Sequence, residues 1–148
     1  MWPGFRLRTL STGDQFRLAL SVLLLVTVRA SLSALSFSRV RGTLLRLAVA
    51  GERFAPGTPN PERIAWAVET ADRRLPGART CLMRSLTTEA MLRLYGHVPR
   101  HRIGVDRTAE RTLEAHSWIE YEGRILIGHL EELSRFDTLP PLDGGEES

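Results

Sequence analysis

One thiol and one well-placed imidazole give this chain its capacity for chemistry. Cys81 is the only cysteine, and it sits in the run Pro76 to Gly96, PGARTCLMRSLTTEAMLRLYG. His116 follows in the run Thr112 to Ile127, TLEAHSWIEYEGRILI. A helix-borne cysteine followed by a strand-borne histidine allows an imidazole to take the thiol proton and later give it to a leaving amine. The competing reading is structural, because a lone cysteine is often a buried, inert apolar residue and a strand histidine often a hydrogen-bonded one. His97 and His101 form H-x-x-x-H, a spacing that would present two ligands on one helix face, but Pro99 between them opposes a helix. Two ligands do not define a metal site, so neither a metal nor any cofactor is expected.

The elements that must hold these groups are marked by breakers and periodicity. Pro76 and Gly77 end whatever precedes them, Thr80 is the expected N-cap and Gly96 the C′ stop, which predicts a helix with Cys81 in its first turn. Leu82, Leu86, Ala90 and Leu94 recur every four residues and form its buried stripe. The unpaired N–H groups and dipole of a helix start, with Arg79 and Arg84 close in sequence, favour a thiolate there. Glu122-Gly123 is a hairpin turn between Ala115 to Tyr121 and Arg124 to Ile127. Strand alternation then sets His116, Trp118 and Glu120 on one face, with Ala115, Ser117, Ile119 and Tyr121 on the other. Arg100 to Asp106 reads as a further strand, and Asp106 to Arg111 as a polar loop beside the site.

Upstream, Ser11 to Asp14 opens an apolar helix that runs to about Ala34. Ser36 or Ser38 caps a second, with Val40, Leu44, Leu45, Leu47 and Ala48 apolar, Arg39, Arg41 and Arg46 outward, and Gly51 as its stop. Glu52 to Asn60 is a Pro- and Gly-containing linker, and Asn60-Pro61-Glu62 starts a third helix, Pro61 to Leu75, with Ile64, Ala65, Val68 and Ala71 on one face. Arg73 and Arg74 complement the dipole at its end. Glu131 to Phe136 offers one helical turn, and an acidic, Gly-rich tail after Pro140-Pro141 is expected to be disordered.

CLMRSL at Cys81 to Leu86, YGHVP at Tyr95 to Pro99, IGV at Ile103 to Val105 and AHSWIE at Ala115 to Glu120 together resemble the lasso-peptide leader peptidases. These are transglutaminase-like cysteine proteases that cut the leader from a ribosomally made precursor, so that a cyclase can close the ring. The resemblance is densest from Pro76 to Ile127 and implies Cys81 as nucleophile and His116 as its base. The family often carries an Asp about a dozen residues beyond the His; this chain has Gly128 there, followed by His129. Glu131, a backbone carbonyl or a water is then the expected third member. The resemblance also implies a split system, in which a separate leader-recognition protein and a cyclase work with this chain on the precursor peptide in the cytoplasm. The outward arginines of the first helices are the place to look for docking.

Composition bounds the rest. A chain of 148 residues has room for one domain, and 43 % hydrophobic with 25 % charged residues is ordinary for a globular one. All 20 basic residues are arginine. Seven of them stand in residues 1–50 against the single acid Asp14, whereas residues 131–148 hold six acids against Arg135. That asymmetry invites nucleic acid, but no zinc-finger spacing, RNP-like aromatic set or Arg-rich run is present, so nucleic-acid binding is not expected. One cysteine excludes an internal disulfide. The apolar run Leu18 to Val28 lies between Arg17 and Arg29 and is only 11 residues long, too short to span a bilayer, so no integral membrane segment is expected. Val28-Arg29-Ala30 imitates a signal cleavage site, but a second amphipathic segment follows directly.

The expected architecture is α+β: a helical part over residues 1–58, a transglutaminase-like or papain-like core over 59–138 in which the cysteine helix packs on a small antiparallel sheet, and a tail over 139–148. The expected function is leader removal by a cysteine protease. Acyl transfer to an amine by the same pair, and a catalytically idle binding protein of the same fold, are the rivals.

Overall fold

The computed structural model describes residues 12–54, 59–75, 81–106, 114–127 and 137–138. Four helices, α1 (Thr12–Ala34), α2 (Phe37–Gly51), α3 (Pro61–Arg74) and α4 (Cys81–Leu94), precede strands β1 (Arg100–Asp106), β2 (Glu114–Tyr121), β3 (Arg124–Ile127) and β4 (Asp137–Thr138). The protein is α+β, with an antiparallel sheet in the order β3-β2-β1-β4.

The helix boundaries follow their capping chemistry. Ser36 caps α2, its Oγ accepting from the N–H of Arg39, and the Oδ1 of Asn60 accepts from Arg63 at 2.8 Å with Pro61 opening α3. At the end of α4, Gly96 has φ +86°, Gly96 N–H donates to Arg93 O at 3.0 Å and His97 N–H to Leu92 O at 2.9 Å. This pair of bonds is a Schellman closure, with glycine at the one position that needs a left-handed backbone. Gly51 ends α2, and Glu52–Phe54 continues as one 3₁₀ turn where a linker was expected to begin. Thr80, the expected cap of α4, lies outside the described residues.

Helix α4 is the axis of the molecule. A single stripe of four apolar residues was expected to bury; instead every residue from Ser85 to Leu92 is buried. The reason is that α4 has neighbours all round: α1, α2 and α3 pack on it, and so do the strands. Leu18, Leu25 and Val28 of α1, Val40 of α2, Ile64 and Val68 of α3, Leu86 and Met91 of α4, and Ile119 and Ile127 of the sheet belong to one core. A helix buried on all sides must satisfy its polar residues internally. Thr88 donates to Arg84 O, Ser85 accepts from Ser117, and Glu89 bonds to Arg41 and His101.

Those partners correct the outward reading of Arg41. Its guanidinium turns inward and grips Glu89 with two bonds, Nε to Oε1 at 3.0 Å and Nη2 to Oε2 at 2.6 Å. Fully buried His101 on β1 faces the same carboxylate, Nδ1 to Oε1 at 2.9 Å. Burial alone would raise the Glu89 carboxyl above its usual range, but the bonds from His101 and Arg41 outweigh it and hold the group low. Leu47, expected on the apolar face of α2, is 66 % exposed. A second ionic knot joins α1 to α3: Asp14 lies between Arg17, at 2.7 Å, and Arg63, and is held down to about pKa 2, chiefly by its bond to Arg63.

Helix α1 also differs from the sequence reading. The apolar run between its arginines is short, but the helix is 23 residues long and, by length and composition alone, long and apolar enough to cross a membrane. Buried core helices and signal sequences meet the same criterion.

Candidate active site

Cys81 opens α4, half-buried, at the helix end where free N–H groups point outward. Its Sγ accepts the backbone N–H of Ser117 at 3.4 Å. Ser117 is the neighbour of His116 on β2, so the sulfur is anchored to the strand beside the imidazole. The direction of that bond locates it further. In an antiparallel sheet, N–H groups lie in the plane of the sheet and point to one side or the other. Among the described residues β3 pairs with β2 only at Ile119, Glu120 and Tyr121, and β1 borders β2 on the opposite side. The amide of Ser117 lies outside this described pairing and is directed at the Cys81 sulfur.

A second bond fixes the approach of helix and strand. The hydroxyl of Ser117 donates to Ser85 Oγ at 3.0 Å, both side chains being buried. Ser85 is one turn beyond Cys81, so Ser117 holds the helix at two levels, through its amide at the sulfur and through its hydroxyl one turn on. The face of β2 carrying Ser117 and Ile119 packs on α4, as their burial and partners show. His116, Trp118 and Glu120 occupy the other face, as strand alternation predicts.

On that face the imidazole of His116 is half-buried and stacks on Trp118, centroids 6.0 Å apart and planes 23° apart. Trp118 is buried and donates its indole N–H to Glu120 at 2.9 Å; Glu120 in turn lies 3.8 Å from Arg102. The ring of His116 therefore rests against an indole that is itself held. Opposite His116 on β1 stands Gly104, which adds no side chain beside the imidazole. A register shift between Ile119 and Glu120, against β3, marks a bulge three residues from His116.

The four motifs noted in the sequence assemble at one place. Ile103, Gly104 and Val105 pair with Ser117, His116 and Ala115, so IGV is the strand that flanks AHS. Tyr95 to Pro99 closes the cysteine helix and leads into that strand. Within it, His97 donates from Nε2 to Pro59 O at 3.1 Å and lies 3.4 Å through Nδ1 from the Tyr121 hydroxyl. That bonding fixes its tautomer and makes it a strut between the chain before α3 and the hairpin. His97 and His101 thus serve different partners, and among the described residues no group of three or more His, Cys, Asp or Glu is placed to hold a metal ion.

Glu131, Gly128, His129 and Arg79 lie outside the described residues, as do residues 107–111 of the expected lip and the tail after residue 138. Sequence reasoning missed three contributors. Ser117 and Ser85 carried no motif signal beyond membership in the resembling runs, and their value appears only when helix and strand meet. Strand β4 is only two residues long, too short for periodicity to reveal, yet it pairs Thr138 with Gly104 and so extends the sheet beside the His116 row.

Residues 23–140, well over half of the chain, match the family model described as the transglutaminase-like superfamily. No curated protein and no solved structure matches.

Proposed function

The chain belongs to the transglutaminase-like superfamily, and on that footing we propose that it is a cysteine peptidase that removes the leader from a lasso-peptide precursor. The observation that carries the reading is the seat of Cys81: a thiol at the start of a buried helix, its sulfur bonded to the amide next to His116. A sulfur held there can attack a carbonyl at the leader–core junction while His116 takes its proton. The tetrahedral oxyanion needs N–H donors, and the backbone N–H of Cys81 is the first. Collapse breaks the C–N bond, His116 protonates the departing amine of the core peptide, and the leader remains as a thioester on Cys81. Water, deprotonated by His116, then releases the leader carboxylate and restores the thiol. Glu131 is the proposed partner that orients His116, with a backbone carbonyl or water in its place if it does not reach.

The restriction to lasso precursors rests on the CLMRSL, YGHVP, IGV and AHSWIE runs and on their convergence in space. A separate leader-recognition protein and a cyclase are the proposed partners, acting in the cytoplasm. Incubating the chain with precursor and recognition protein, and weighing the products, tests the reading. The expected result is free leader with a new carboxylate, lost in Cys81→Ala while the variant keeps its circular dichroism. A product carrying an added amine would reassign the reaction to acyl transfer. Cleavage by a folded Cys81→Ala protein would end the proposal.

A further inference from the structure

Helix α1 presents apolar residues to the core and to solvent alike. Leu18, Leu25 and Val28 are buried, but Phe16, Ala19, Leu23, Val26 and Ala30, spaced for one face at 100° per residue, are all exposed. Phe16 is 43 % exposed, Leu23 61 % and Val26 51 %. Apolar grooves flank this ridge on both sides. One, about 350 Å³, runs between Leu18, Ala19 and Val22 of α1 and Thr70, Ala71 and Arg74 of α3. The other, about 170 Å³, lies between Leu20 and Leu24 of α1, Leu44 and Leu47 of α2, and Ala90 and Leu94 of α4. Ridge and grooves form one continuous apolar surface, of a kind that soluble monomers rarely leave open.

Charge identifies its occupant. Asp14 is the only acid in residues 12–51, and it is buried between Arg17 and Arg63. Arg41 is turned onto Glu89. The exposed charges of α1 and α2 are all cationic, Arg39 and Arg46 of α2 among them. We propose that α1 and its flanking grooves seat the protein on the surface of an anionic lipid bilayer, with α1 lying in the interface and these arginines at the headgroups. An apolar helix face whose exposed charges on α1 and α2 are all arginine has the composition of an interfacial helix. Two copies of this face would repel through the same arginines, which disfavours a self-association surface. Spanning is excluded by packing: α1 shares the core through Leu25 and Val28 and is tied to α3 through Asp14 and Arg63, so crossing the bilayer would tear the domain apart. The proposal is independent of the peptidase reading, since it rests on α1 and its grooves and assigns no part to Cys81 or His116.

Co-sedimentation of the full chain with vesicles tests it, using phosphatidylcholine alone and phosphatidylcholine mixed with phosphatidylglycerol. Binding is expected to the anionic vesicles, weakening as salt rises, with each arginine at the surface contributing about fivefold. Leu23→Glu and Val26→Glu, which replace exposed side chains and leave the core alone, should each lower vesicle affinity by at least about tenfold. Arg39→Glu with Arg46→Glu should flatten the salt dependence. Absence of binding to anionic vesicles, equal binding by Leu23→Glu, or a dimer by light scattering that Leu23→Glu dissolves would each overturn the proposal. The last result would mark the face as a contact between copies, and a stoichiometric complex with the recognition protein lost in Leu23→Glu, without vesicle binding, would mark it as a protein dock.

Discussion

Ser117 contributes two bonds at the candidate site, its amide to the Cys81 sulfur and its hydroxyl to Ser85. The amide survives any side-chain substitution, so Ser117→Ala and Ser85→Ala remove only the upper tie. Each should cost about 1 kcal/mol of stability, the value of one neutral hydrogen bond, plus whatever the orphaned buried hydroxyl adds. If Ser85 positions the cysteine helix against the strand, Ser85→Ala lowers kcat for leader cleavage and leaves KM nearly unchanged; a structural role alone would shift the denaturation midpoint without that split. His116 carries a larger effect. His116→Ala should slow cleavage by about 10²- to 10⁴-fold, measured under single-turnover conditions, because the thiol loses its base. A greater loss in His129→Ala would show that the other imidazole is paired with the sulfur.

At the scale of elements, α4 is the part on which helices and sheet depend together, and its inner polar cluster is where a substitution does most damage. Glu89→Ala would take this carboxylate from the largely buried Arg41 guanidinium and from His101, whose Nε2 has no hydrogen-bond partner among the described residues. Loss of about 3–5 kcal/mol is expected, read from urea unfolding. Gly96→Ala tests the C-terminal end of the same helix. At φ +86° a Cβ is strained, and it would lie 2.9 Å from Glu52 Oε2, so a loss of about 1 kcal/mol or more is expected in the same assay. These two positions show why some elements could be read from the sequence and others could not. Gly96 and the Glu122-Gly123 turn act through their own backbone, Asn60 and Ser36 through side chains bonded three residues on, and both turn residues have positive φ, as a type I′ two-residue hairpin demands. Local chemistry of that sort is written in adjacent residues. Arg41 meets Glu89 across 48 residues and His101 meets it across 12. Neither pairing alters a local pattern, so periodicity turned Arg41 outward and read a stripe on a helix that is buried all round. Cys81 and His116 were legible as candidates because residue type and motif both pointed to them, whereas the bonds of Ser85 and Ser117 beside them exist only in the packing.

For the whole molecule, two carboxylates held low among the described residues shape how the fold responds to acid. Asp14 joins α1 to α3 and Glu89 joins α2, α4 and β1, so between them they tie every helix to another part of the core. Asp14 falls from 3.8 to about 2 in the folded protein, first through its bond to Arg63 and then through Arg17, while Glu89 is also lowered below its ordinary 4.5. The native state therefore binds these protons less readily than the unfolded chain does. Their stabilisation is fully present above pH about 5 and is lost as pH falls through the unfolded values toward the folded ones. For Asp14 the loss is on the order of 1 kcal/mol once screening by nearby solvent is allowed for, and it is complete only below its folded value of about 2. Urea midpoints measured from pH 7 down to pH 3 should thus hold steady at first and then decline below about pH 5. Asp14→Asn should remove part of that decline, leaving a protein weaker at pH 7 but less sensitive to acid. An unchanged slope in Asp14→Asn would take Asp14 out of the acid response. A decline centred near pH 6.5, where an ordinary imidazole titrates, would shift it from both carboxylates to a histidine.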